Sequence, residues 1–188
     1  MEHKIHLSHV AVLVPSVQKA AAVLSRFDFE IGPAEDFEGE GTREIYVSSQ
    51  SCNSLLLMQP IAAGSYQRAL TKRGPGLHHF AVDVLNLEEY LDSLSGSGWL
   101  LHPRSLHTMR HSRTAYLARP GFPALVEVQE KKNWQDGSPF VQQVVGPWSA
   151  EVLKLTRFVG LVEVLKTYEQ AVMLVLNGQS VHLRELTD

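Results

Sequence analysis

Three residues of this chain have the types that metal chemistry needs: His9, His79 and Glu127. Two imidazoles and one carboxylate suit a divalent Fe, Mn, Co, Ni or Zn ion. Three protein ligands also leave coordination positions open to substrate or water, as a catalytic metal requires. The two histidines are related by a repeat. Leu7–Ser16 reads LSHVAVLVPS and Leu77–Asn86 reads LHHFAVDVLN, which sets His9 and His79 at equivalent places 70 residues apart. Such a repeat implies two copies of one supersecondary unit packed together. A histidine at the same strand position in each copy can then reach one internal site. Glu127 sits within the apolar run Leu125-Val126-Glu127-Val128-Gln129, where a carboxylate without a partner is costly.

The bulk properties bound the function classes. A chain of 188 residues fits one domain, or two small modules sharing a core. Acidic residues exceed basic ones, 20 to 17, which argues against nucleic acid as the main partner. No apolar run approaches the ~18 residues of a membrane span. The opening residues MEHKIHLSH form no apolar signal core, so no secretory signal is visible. The single cysteine, Cys52, cannot close an internal disulfide, and a reducing cytoplasm is the expected compartment. Any metal must therefore be held by histidines and carboxylates.

The elements that position these residues read as follows. Residues 6–14 form a strand, Pro15-Ser16 starts a helix over 17–27, and 32–42 is a loop or exposed strand margin. Arg43–Ser49 and Asn53–Gln59 are two strands around a polar turn. A short helix, Ser65–Lys72, leads to a Gly-Pro-Gly stop. The second unit repeats the order: a strand over His78–Val84, an Asn86 N-cap, a helix over 87–95, and strands at Leu100–Leu101, Arg113–Ala118 and Ala124–Gln129. The expectation is an α+β fold of two βαβββ modules, about 6–60 and 76–130, within a domain 1–131. Residues 132–188 form an extension that repeats nothing. In it 133–147 has linker composition, 149–157 and 162–176 carry a helical pattern, and Asn177-Gly178 could close a hairpin with 179–184. The choice between helix and hairpin over 170–184 stays open.

The segments Leu7–Pro15, Leu70–Val82 and Leu125–Glu130 resemble the vicinal oxygen chelate superfamily (glyoxalase, bleomycin resistance and extradiol dioxygenase proteins), most of all its methylmalonyl-CoA epimerases. The likeness covers about 6–131 and is most specific around 70–82, where Lys72-Arg73-Gly74 precedes the His78-His79 pair. It implies a cup-shaped mixed sheet with a divalent metal ion inside. Carried over residue by residue, it makes His9, His79 and Glu127 metal ligands. The family's fourth ligand, usually Glu or Gln, falls at Leu56, which cannot coordinate; Gln59, three residues on, would need a bulge to reach the site.

The resemblance implies a metal-dependent isomerase or lyase of the epimerase and glyoxalase type, acting on a small molecule. Its chemistry needs two acid/base groups beside an enolate. Glu127 would serve as one; Glu38, Glu40 and Glu44 are candidates for the other. A second possibility is an Fe(II) dioxygenase using only two histidines and a carboxylate, with His102, His107 or His111 as acid/base. A third is a binding module without catalysis. His111 and Arg113 are candidate substrate-binding residues, and Arg104, Arg110 and Arg119 could also meet an anion. Strand alternation sends His78 to the face opposite His79. The apolar 149–176 segment would either cap the cup or form a homodimer contact.

Overall fold

The computed structural model describes residues 4–48, 50–134, 136–148, 163–166 and 172–187. The first unit is β1 (Ile5–Leu13), α1 (Val17–Leu24), β2 (Glu35–Phe37), β3 (Thr42–Val47) and β4 (Ser54–Pro60). A linking helix, α2 (Ser65–Arg73), precedes the second unit: β5 (Gly76–Val84), α3 (Leu87–Ser93), β6 (Leu100–Leu101), α4 (Ser105–His111), β7 (Thr114–Ala118) and β8 (Leu125–Glu130). The expected α+β modules are therefore present. Helix α4 is an addition to the expected order, inserted between β6 and β7.

Capping explains the matched helix starts. The Ser16 hydroxyl accepts from the Lys19 N–H at 3.3 Å, and the Asn86 side chain accepts from the Glu89 N–H at 3.1 Å. In α1, Val17, Ala20, Ala21 and Leu24 repeat at helical spacing and are all buried. Val17 and Leu24, both fully buried, each contribute roughly 1.5–3 kcal/mol.

One large sheet runs β2-β3-β4-β1-β5-β8-β7-β6. The order is nearly two-fold symmetric about the antiparallel β1–β5 pair, with β4 parallel to β1 on one side and β8 parallel to β5 on the other. One face carries the main core, including Val10, Val12, Leu55, Leu57, Phe80 and Val126. The other carries a smaller apolar cluster of Ala11, Leu13, Leu56, Met58 and Tyr66. Strand alternation thus sorts each module into a packed side and a cup side.

The extension departs from its expected form. Within the 133–147 segment, Val141–Gly146 is a strand, β9, and not wholly linker. Within 162–176, the described residues are strands β10 (Glu163–Lys166) and β11 (Met173–Leu176), not helix. Their Val and Leu content serves either structure, and pairing with β9 decides for strand. The helical expectation over 149–157 lies outside the described residues. The Asn177-Gly178 hairpin does form, joining β11 to β12 (Gln179–His182). Val141, Val144, Leu174 and Leu176 join the same core cluster as α1. The Asn53 side chain also clasps β9, donating to the Val141 carbonyl at 3.2 Å and accepting from its N–H at 2.8 Å.

Candidate metal centre

Strand register aligns the three candidate ligands. His9 on β1 faces Ala81 on β5, and Ala81 faces Glu127 on β8. His79 lies two residues before Ala81, on the same face. The Nε2 atoms of His9 and His79 are 3.2 Å apart, and the His79 Nε2 is 3.2 Å from Glu127 Oε2. One ligand atom from each of the three residues lies within 4.8 Å of the others, and all three residues are buried. An N,N,O donor set converging in this way fits a divalent transition ion.

Both histidines follow an irregularity in their strands. The β1–β5 register shifts between Leu7 and His9, and again between Ala11 and Val12, where His79 and Leu77 are the successive partners. Ser8 and His78 are the extra residues. The bulge overturns the expectation that His78 points to the face opposite His79. Its Nδ1 lies 2.9 Å from the His79 Nδ1, and Ser8 Oγ lies 3.3 Å from the His9 Nδ1. Each ring is therefore held from behind by its preceding side chain, leaving Nε2 turned to the shared point. Burial, then the neighbouring His79 and Arg73, lowers the His78 pKa to about 3, which favours a neutral ring.

The carboxylate is held equally firmly. Glu127 Oε1 accepts from the Tyr116 hydroxyl at 3.2 Å and from the Gln129 amide at 3.0 Å. Burial alone would raise its pKa. The hydrogen bond and charge of His79, helped by His9 and Gln129, outweigh burial and bring it down to about 2. Burial and the adjacent His79 hold the His9 pKa at about 3, a neutral imidazole ready to act as a ligand.

The cluster opens onto a cavity of about 230 Å³. Leu56 borders it and is 2% exposed, so the fourth-ligand position is a hydrocarbon wall. Gln59 does not turn inward; its Oε1 accepts from the Val17 N–H at 3.1 Å. The three acidic candidates separate. Glu44 lines the cavity and is buried, with Thr42 Oγ1 donating to it at 2.8 Å. Burial raises its pKa against that hydrogen bond, and Glu40 and Glu127 raise it further. Glu40 also lines the cavity, accepting from the Tyr66 hydroxyl at 2.7 Å and from Arg104 at 3.1 Å. Glu38 is exposed on the turn before Gly41 and does not line the cavity.

The two candidate substrate-binding residues stand elsewhere. Arg113 pairs with Glu88 and Glu130, and His111 is exposed on α4, donating to the His107 carbonyl at 2.8 Å. Neither lines the cavity. Arg104 comes nearer, through Glu40 and by lying 5.8 Å from the centre of the Tyr116 ring. Sequence reasoning missed Tyr116 and Gln129 as partners of the carboxylate. The alternation Glu127, Gln129 was the available signal for the second.

Residues 8–116 match the glyoxalase/bleomycin resistance protein/dioxygenase superfamily. The chain belongs to that superfamily. Its match ends before Glu127, which the fold then supplies from β8. No curated protein matches the sequence. Among solved structures, a hypothetical protein from Bacillus halodurans C-125 is similar at 20% identity and a TM-score of 0.57, covering 71% of this chain and 99% of that one. A Streptomyces coelicolor methylmalonyl-CoA epimerase in complex with 2-nitronate-propionyl-CoA is similar at 18% identity and a TM-score of 0.52, covering 68% and 98%. A Mycobacterium tuberculosis methylmalonyl-CoA epimerase is similar at 23% identity and a TM-score of 0.52, covering 71% and 89%. These likenesses establish the fold. Among the described residues no helix is long and apolar enough to cross a membrane.

Proposed function

We propose that this superfamily member is a metal-dependent isomerase or lyase that forms an enolate from a small carbonyl substrate. The observation carrying this reading is the convergence of His9, His79 and Glu127 beside a cavity that also holds the buried carboxyl of Glu44. A divalent ion held by the three ligands supplies a Lewis acid to a carbonyl oxygen. Glu44, whose pKa burial raises, takes the proton from the carbon next to that carbonyl. Its elevated proton affinity makes it a better base than an exposed carboxylate. Return of a proton to the opposite face needs a second group. Glu127 lines the cavity from β8 while Glu44 lines it from β3, so the two flank the space from different modules. Glu40, held by Tyr66 and Arg104, is the other carboxyl within the cavity. The buried walls of Leu56 and Met58 exclude water from the reacting carbon.

A specific observation favours a second reading. Leu56 limits the ligand set to two histidines and a carboxylate, the donor composition of a non-haem Fe(II) oxygenase. The deciding experiment combines elemental analysis with two assays on the loaded protein. Exchange of an acyl-CoA α-proton for deuterium, dependent on Co(II) or Mn(II), supports the isomerase. Oxygen uptake on a catechol with Fe(II) supports the oxygenase instead. Failure to take up any divalent ion overturns both and leaves a binding module.

A further inference from the structure

A second cavity, of about 420 Å³, adjoins the metal cup near the start of β1. His9, Tyr46 and Gln129 border both spaces. The two spaces are therefore immediate neighbours, with His9 at their common border.

A buried charged group forms part of the chamber wall. His6 and Asp83 face each other across β1 and β5, two pairs along the strands from the His9–Ala81 pair, with Leu7–Val82 between. Asp83 is 2% exposed. Its Oδ1 is 3.1 Å from the Lys131 ammonium and its Oδ2 is 3.5 Å from His6 Nδ1. Another part of the wall comes from beyond β8. Asn133 borders the space, and the Trp134 ring stacks on His6 at 5.5 Å and 6°. Burying such charges contributes little net stability once desolvation is counted. Polar groups converging on a cavity are what ligand recognition requires.

The hydrogen-bonding inventory selects the ligand. Asp83 is the lining group that can only accept; it pairs ionically with Lys131, while both ring nitrogens of the neighbouring His6 are buried without a hydrogen-bond partner among the described residues. The ammonium of Lys131 has three N–H bonds and needs one for Asp83. The hydroxyls of Ser8, Ser51 and Ser54 and the amide of Asn133 add further donors. The chamber thus offers donors to an acceptor-rich group. Its lining has one lysine and no arginine among the described residues. A single cation, already paired with Asp83, matches the one charge of a carboxylate better than the two of a phosphate dianion.

We infer that this chamber binds the carboxylate end of an organic acid whose opposite end lies at the His9–His79–Glu127 cluster. The inference rests on the metal-centre reading above and narrows its substrate class to acids with a carboxylate remote from the reacting carbonyl.

The test uses the full chain, apo and loaded with Zn(II), titrated with succinate, acetate and inorganic phosphate. Calorimetry gives affinity. Tryptophan fluorescence, with Trp134→Phe as the control that assigns the signal, reports on the chamber. Succinate should bind the zinc form about tenfold more tightly than acetate or phosphate. Lys131→Met should remove about tenfold in succinate affinity, the expected loss of one charge-assisted hydrogen bond, without changing zinc stoichiometry. Ser51→Ala, a milder change, should weaken succinate in the same direction. Unchanged succinate affinity in both folded variants, or tighter binding of phosphate, overturns the carboxylate assignment. Zinc uptake that leaves succinate affinity unaltered overturns the bridging of the two spaces. A chain that takes up no zinc yet binds succinate through Lys131 overturns the metal reading while the chamber stands.

Discussion

The imidazoles of His78 and His79 meet through their Nδ1 atoms, 2.9 Å apart. With the His79 Nε2 lone pair turned to a metal, its proton must reside on Nδ1 and be donated to His78. A neutral imidazole accepts it where metalloproteins commonly use a carboxylate or carbonyl. His78→Phe keeps the bulk and removes the acceptor. It should weaken Co(II) affinity by roughly 10- to 100-fold and alter the visible spectrum of the bound ion. His78→Gln, whose amide oxygen can accept, should recover most of both. Equal affinity in all three proteins would refute the positioning role.

Leu56→Glu places a carboxyl where the cup wall is hydrocarbon. Without metal the buried charge should destabilise the fold by about 3 kcal/mol, seen as a lower thermal midpoint. With metal the new ligand should raise divalent-ion affinity and recover the midpoint. Unaltered metal affinity would mean that residue 56 does not face the site.

Glu44→Gln removes the buried base and keeps the Thr42 hydroxyl as a neighbour. Turnover in the α-proton exchange assay should fall by about 10²- to 10⁴-fold with metal content unchanged. Glu38→Gln, on the exposed turn, should leave the rate within error of the parent. Equal loss in both variants would sink the assignment of Glu44.

Removing the ion should cost stability as well as activity. At a metal concentration about 100-fold above its dissociation constant, binding adds about 2.7 kcal/mol to the folded state. Calorimetric scans before and after chelation should show the midpoint fall and then recover when metal is restored. A scan indifferent to chelation would count against a bound ion.

The Arg113 pairs give the acid limb of the stability curve a sign. Hydrogen bonds from Arg113 lower the folded-state pKa of Glu88 and of Glu130 below the ordinary 4.5. The unfolded chain therefore binds protons first as pH falls. The stabilisation is complete above 4.5 and disappears as pH drops through the lowered folded-state values. Arg113→Gln should flatten that part of the curve and leave the neutral-pH metal content intact. Denaturant titrations across pH 3–6, a window taken roughly from carboxylate pKa values, would test it.

The duplicated strands were legible because one module had stamped both copies with the same alternation and the same histidine. Glu127 was legible as a carboxylate in an apolar strand. The bulge at His78 was not, because a one-residue register slip depends on how β5 meets β1 and leaves no compositional mark. The ranking of Glu44 over Glu38 needed the β2–β3 hairpin, which turns one inward and leaves the other in solvent. Arg113 misled because a strand-end arginine looks the same whether it awaits a ligand or already grips Glu88 and Glu130. Glu163–Lys166 and Met173–Leu176, rich in Val and Leu, fit helix and strand alike until β9 claimed them as neighbours.

Asn53 mimics a strand residue when its amide grips both backbone groups of Val141. On either side of it, Cys52 and Ser54 border the larger cavity. One buried side chain therefore fastens the carboxy-terminal sheet to the rim of a ligand space. Anything that loosens that fastening also shifts the residues at that rim, so the shape of the cavity and the anchoring of the tail become a single property of the molecule.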